Sequence, residues 1–99
     1  MRLTPDQIAQ IRRIVAEQAG NDACVRLFGS RVDDHARGGD VDLLVELSGP
    51  VSDPAPLAAR IAGRVSRLMA GRKVDVVLAA PNLEHLPIHD VARREGIPL

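Results

Sequence analysis

Three aspartates stand in segments that the sequence predicts to be β-strands, although aspartate is depleted in strands. Asp40 and Asp42 flank Val41 at the start of the run VDLLVEL, and Asp75 lies inside the run KVDVVLA. Side chains two residues apart on a strand point to the same face, so Asp40 and Asp42 project together. If the second run forms the neighbouring strand, Asp75 joins them. Carboxylates that cluster in this way repel one another unless a cation lies among them, and Mg²⁺ prefers carboxylate oxygens with substrate phosphates completing its shell.

A segment with residue types suited to binding phosphate precedes the aspartates. Gly29-Ser30 ends the apolar run ACVRLF, and Arg31 follows it. Glycine allows a phosphate to approach the backbone closely, serine offers a hydroxyl beside free N–H groups, and arginine adds a fixed positive charge. Gly-Ser-Arg alone is a weak signal, but it becomes specific ahead of Asp-x-Asp and a third aspartate. The structural alternative is that each aspartate acts alone, with Asp40 capping a turn and Asp75 pairing with an arginine.

Together, Gly29-Ser30, Asp40-Val41-Asp42 and Asp75 resemble the nucleotidyltransferase signature of the DNA polymerase β superfamily. Within this superfamily, the segment GSRVDDHARGGDVDLLVEL and the short chain resemble the minimal nucleotidyltransferase (MNT) antitoxins, which are partners of HEPN-domain toxins. The acidic segment Val32-Asp33-Asp34 departs from the small or basic residues that relatives often have there.

The resemblance implies a reaction in which a hydroxyl attacks the α-phosphorus of a nucleoside triphosphate and releases pyrophosphate with the help of two Mg²⁺ ions. It implies that Asp40 and Asp42 bind both metals and that Asp75 completes the site, as a metal ligand or as the base for the hydroxyl. Gly29 and Ser30 would hold the β- and γ-phosphates, with Arg31 beside them. For the antitoxins, the implied reaction transfers AMP from ATP to a tyrosine hydroxyl of the toxin, in a hetero-oligomer with it. Two alternatives stay open: a binding-only antitoxin that covers the toxin, and a small-molecule nucleotidyltransferase of the aminoglycoside-modifying type.

The elements that must position these residues follow the order α-β-β-α-β-α. Thr4, Pro5 and Gln7 form a capping box at the start of the first helix, which ends at Gly20. The further predicted elements are strands over 23–28, 41–47 and 73–79, a helix from Asp53-Pro54 to position 70, and a last helix over 88–95. This order predicts one α/β (α+β) domain over residues 1–99, with a small mixed sheet and helices packed on one face.

Composition excludes several classes of protein. The chain has 99 residues, 13 Lys+Arg against 13 Asp+Glu, and one aromatic residue, Phe28. A balanced charge argues against direct nucleic-acid binding, and the lack of aromatics argues against base stacking. Cys24 stands alone and no apolar run is long enough to span a membrane, which predicts a soluble protein of a reducing cytoplasm. Base selectivity is expected to be modest or completed by the partner.

Two further groups of residues can be interpreted either structurally or functionally. Arg60, Arg64 and Arg67 share one face of the second helix, as a solvated face or as a docking surface for an acidic partner. His85 and His89 are four residues apart, as zinc ligands can be, but Pro87 between them disfavours a regular helical pair.

Overall fold

Three helices and four strands make up residues 3–29 and 40–99, the part of the chain that the computed structural model describes. Ser30, Arg31 and the acidic segment after them lie outside these residues, so their predicted roles stay predictions. In chain order the elements are α1 (Pro5–Ala19), β1 (Cys24–Phe28), β2 (Val41–Glu46), α2 (Pro54–Leu68), β3 (Val74–Ala79), α3 (Pro87–Glu95) and β4 (Ile97–Pro98).

Helix α1 begins and ends where the sequence predicts. The Gln7 amide donates to Thr4 Oγ1 at 3.1 Å, and the Thr4 amide donates to Gln7 Oε1 at 2.9 Å, which is the predicted capping box. Gly20 follows the last turn with φ +101°, a conformation that favours glycine. The residues of the capping box are close together in the chain, and for that reason it could be predicted from the sequence alone.

The sheet is mixed, with strand order β3-β2-β1-β4. Strand β2 pairs in parallel with β3 through the α2 crossover and antiparallel with β1, and β4 adds an antiparallel edge beside β1. The α+β class and the mixed sheet are therefore confirmed. Strand β4 was not predicted, because two residues that include a proline carry no alternating pattern.

Helices cover both faces of the sheet, so the expectation of helices on one face holds for α1 and α2 only. Leu27, Leu43 and Val45 point into a core shared with α1 and α2. The alternate residues of the strands point the other way, where Phe28, Leu44 and Ala79 pack against Ala92 of α3. The physical reason is visible in β2: Leu43, Leu44 and Val45 are each 0% exposed, and consecutive buried residues on a strand require cover on both sides.

Two of the three arginines on α2 form hydrogen bonds with side chains of α1. Arg60 Nε donates to Gln18 Oε1 at 3.1 Å, and Arg64 Nη1 donates to Glu17 Oε2 at 3.1 Å. These contacts tie α2 to α1 while Leu57, Ile61 and Val65 bury the opposite side of α2. Among residues 3–29 and 40–99, no helix has the length and hydropathy needed to cross a bilayer.

Candidate active site

Asp42 and Asp75 are side by side at one end of the sheet. They are register partners on the parallel strands β2 and β3, so their side chains leave the same face of the sheet, with neighbouring strands about 4.8 Å apart. The Val41 amide donates to the Lys73 carbonyl at 2.9 Å, which fixes the start of β2 beside the start of β3. Asp40 precedes β2 directly and is exposed. The fold thus brings the three predicted carboxylates to the same end of the sheet.

Gly29 lies against the carboxylate of Asp42. Phe28, the last residue of β1, is the register partner of Asp42, and Gly29 comes next with φ +79°. A Cβ at Gly29 would overlap Asp42 Oδ2. Two features therefore favour glycine at this position: the positive φ and the close approach of the backbone to Asp42. The start of the predicted phosphate-binding segment belongs to the same site as the aspartates.

The electrostatics of the site are unfavourable to Asp42 in its ionised form. Burial raises the pKa of Asp42, and the negative charges of Asp75 and Asp40 raise it further, while Lys73 opposes them. Lys73 Nζ is 3.9 Å from Asp75 Oδ2, and the two side chains are 69% and 51% exposed. A well-solvated pair of this kind contributes little stability, so Lys73 compensates the cluster only in part.

Lys73 is a site residue that the sequence analysis missed; the structural alternative considered there paired Asp75 with an arginine, whereas the structure places Lys73 beside it. A signal existed: Lys73 stands two residues before Asp75 in the run KVDVVLA, so an extended backbone places both side chains on one face.

The donor chemistry of the cluster fits a hard divalent cation. The candidate ligands are all carboxylate oxygens, and Asp42 faces two like charges against one lysine. A cation among them would offset the like charges that, after burial, raise the pKa of Asp42. Over residues 3–29 and 40–99, however, no three His, Cys, Asp or Glu side chains already converge into a metal site. Asp40, Asp42 and Asp75 would therefore have to adjust their side chains to share an ion.

The histidine pair has a structural role. His89 is 3% exposed, and its Nδ1 accepts the Leu86 amide at 2.8 Å. Its Nε2 therefore carries the proton and donates to the Leu78 carbonyl at 2.9 Å. Both ring nitrogens are thus engaged within the protein, which agrees with the doubt that Pro87 raised about a zinc pair. His85 instead contacts Asp90, with Nε2 2.9 Å from Oδ1.

Comparison with known proteins agrees with this arrangement. A family model described as a nucleotidyltransferase domain matches residues 8–96, from the first turn of α1 to the residue after α3. The match contains Gly29, Asp40, Asp42 and Asp75, together with Ser30 and Arg31. A search of curated proteins found no match. Because the family model covers most of the chain, the protein belongs to the nucleotidyltransferase domain family, within the DNA polymerase β superfamily.

Proposed function

We propose that this nucleotidyltransferase domain transfers AMP from ATP to a tyrosine hydroxyl of a partner HEPN-domain toxin and thereby acts as its antitoxin. Nucleotidyl transfer in general follows from the family. The observation that carries the proposal is the pairing of Asp42 with Asp75 in register, with the Gly29 backbone against Asp42. The choice of acceptor and partner is supported by the resemblance of residues 29–47 to the MNT antitoxins.

Each residue that the sequence predicts for the site has a role in this reaction. Asp40 and Asp42 would hold two Mg²⁺ ions, which when bound stabilise the charge on the attacking and leaving oxygens. Asp75 is half exposed and stands beside Asp42, so its carboxylate can orient the incoming hydroxyl and accept its proton. The new bond joins the hydroxyl oxygen to the α-phosphorus, and the bond from that phosphorus to the departing pyrophosphate breaks. Gly29 would leave room for the triphosphate, which Ser30 and Arg31 would hold.

We expect the partner to supply two things: the tyrosine that accepts AMP and the side chains that contact the adenine base. The chain contains no tyrosine, so it cannot be its own tyrosine acceptor. Phe28, its one aromatic residue, is 6% exposed and packs with Leu44 and Ala92, so it is not available to stack on adenine. A partner protein that supplies a tyrosine would also be able to complete the nucleotide pocket.

The test is transfer of label from α-phosphate-labelled ATP, with Mg²⁺, to the purified HEPN-domain partner. We expect label on the partner with the wild-type chain and none with the Asp40→Ala/Asp42→Ala/Asp75→Ala variant. Asp22→Ala, which changes an exposed aspartate in the turn before β1, is the matched control and should transfer normally. The same reaction with GTP and CTP measures base selectivity.

Three results would overturn the proposal and point elsewhere. Absence of label on the partner with the wild-type chain contradicts the AMP transfer itself. Full neutralisation of the toxin by Asp40→Ala/Asp42→Ala at normal expression indicates an antitoxin that acts by binding alone. Label on an aminoglycoside, together with antibiotic resistance in cells, indicates a small-molecule nucleotidyltransferase.

A further inference from the structure

The described part of the candidate active site holds a lysine beside its carboxylates. Lys73 Nζ is 3.9 Å from Asp75 Oδ2, and both side chains are exposed. The Lys73 carbonyl accepts the Val41 amide at 2.9 Å, which fixes the backbone of Lys73 at the end of the sheet where Asp42 and Asp75 are paired. The backbone therefore holds the ammonium group near the site, while the flexible side chain of lysine leaves it free to move.

Lys73 acts on Asp42 as well as on Asp75. Burial, Asp75 and Asp40 raise the pKa of Asp42, and in the described ranges Lys73 is the positive charge that opposes them. The adjacent Arg72 is exposed and is not among the charges that act on Asp42. Lys73 thus supplies part of the positive charge that a divalent cation would bring to the carboxylates.

We propose that Lys73 is the counter-ion of these carboxylates before a cation binds, and that it favours binding of the cation together with the nucleotide. An ammonium group beside Asp75 repels a divalent cation that arrives alone. The Mg²⁺-bound triphosphate, in contrast, is still an anion, so the carboxylates repel it and Lys73 attracts it. Lys73 therefore weakens the binding of Mg²⁺ by itself and strengthens the binding of the Mg²⁺–nucleotide complex. This inference rests on the proposed use of Mg²⁺ and a nucleoside triphosphate, but not on the proposed acceptor or partner.

Coulomb's law gives the size of the effect. Asp75 is half exposed, so water surrounds its pair with Lys73 and the dielectric constant of water applies. A unit charge about 5 Å from a divalent ion in water changes the affinity for that ion by about tenfold, and physiological salt reduces this to roughly threefold. The two effects of Lys73 have opposite signs. A substitution that only damaged the site would instead weaken the binding of both ligands.

The test measures both affinities with the purified chain alone, by NMR titration of the amide signals of Asp42 and Asp75. Lys73→Met should bind Mg²⁺ about threefold to tenfold more tightly than the wild-type chain, and α,β-methylene-ATP with one equivalent of Mg²⁺ about threefold less tightly. Lys73→Arg keeps the charge, so both affinities should stay within about twofold of wild type. Arg72→Met makes the same change in net charge at the neighbouring exposed residue, and each affinity should again stay within about twofold of wild type.

A second measurement follows the side chain of Lys73 directly. Lys73 is the one lysine in the sequence, so lysine labelled with ¹³C at Cε gives a single signal that reports on this residue. Addition of Mg²⁺ should shift the signal in the wild-type chain, because the ammonium group leaves Asp75, and should not shift it in Asp42→Asn/Asp75→Asn. A signal that saturating Mg²⁺ leaves unchanged in the wild-type chain would overturn the inference.

The other contrary results separate this inference from the proposed function. Equal tightening of Mg²⁺ binding in Lys73→Met and Arg72→Met would show an effect of net charge alone, and weaker binding of both ligands by Lys73→Met would show a structural role; either result overturns the inference. A wild-type chain that binds neither Mg²⁺ nor the Mg²⁺-bound analogue would overturn the proposed function as well. If the affinities change as expected but no label reaches the partner, the inference is supported and the proposed acceptor is wrong. A circular dichroism spectrum that matches wild type verifies that each variant is folded.

Discussion

Substitution of Gly29 by alanine separates backbone strain from damage to the active site. Gly29 has φ +79°, and an added Cβ would overlap Asp42 Oδ2. A non-glycine residue in the left-handed region costs about 1–2 kcal/mol. Asp42 is only partly buried, so its side chain can turn away from the new methyl group. We therefore expect Gly29→Ala to lower the free energy of unfolding by about 2 kcal/mol and no more than about 4 kcal/mol, the strain plus a modest repacking cost.

The chain provides two matched controls for the strain. Gly71 has φ +83° and Gly20 has φ +101°, and a Cβ at either position would meet no atom within 4 Å. Gly71→Ala and Gly20→Ala should therefore cost about 1–3 kcal/mol each through the backbone alone. Because neither displaces Asp42, both should retain nucleotidyl transfer at temperatures where they are folded.

The assay combines urea unfolding with the transfer of labelled AMP to the partner. Gly29→Ala should reduce the transfer rate by about 100-fold, since a displacement of a reacting group by roughly 1 Å has an effect of that order. The decisive comparison is between variants of equal stability. If Gly29→Ala transfers AMP as fast as Gly71→Ala does, the contact between Gly29 and Asp42 has no part in the reaction, and our description of the site is wrong.

Three further predictions concern charge and burial. The folded protein holds the pKa of Asp42 above its value in the unfolded chain, so ionised Asp42 lowers stability at neutral pH. Asp42→Asn should thus raise Tm at pH 7 while abolishing transfer, and the gain should vanish below the unfolded pKa of about 3.9; an unchanged Tm at pH 7 would contradict the cost that burial and the neighbouring carboxylates place on ionised Asp42. Mg²⁺ at 100 times its Kd should stabilise the wild-type chain by about 2.7 kcal/mol in calorimetry and leave Asp42→Asn/Asp75→Asn unaffected; equal stabilisation of both would place the ion elsewhere. His89→Ala should cost about 2–5 kcal/mol in urea unfolding, because it removes a buried ring and leaves the Leu86 amide and the Leu78 carbonyl without their partner; a loss below 1 kcal/mol would show that water replaces both bonds.

Local features of the fold were predictable from the sequence. The capping box at Thr4 and Gln7, the stop at Gly20 and the order of the first six elements depend on residues close together in the chain. The candidate site was predictable for a related reason. Aspartates at 40, 42 and 75 are unusual in strands, and alternation along an extended backbone already places the first two on one face.

The position of α3 needed the tertiary structure. An amphipathic helix has the same sequence pattern whichever face of a sheet it covers, so only the packing of Ala92 against Phe28 and Leu44 placed it opposite α1 and α2. The same limit applies to Arg60 and Arg64, whose sequence spacing was compatible with a solvated face and with a docking surface until their contacts with α1 were known.

The sequence by itself determined which residue types the site contains and how they are spaced along each strand. The tertiary structure decided what lies next to what: the register that pairs Asp42 with Asp75, the approach of Gly29 to Asp42, and the place of Lys73 beside Asp75. The physical reason is the range of the interactions. Capping and alternation act over two to four residues, whereas register and pKa depend on burial and on charges from strands more than 30 residues apart in the chain.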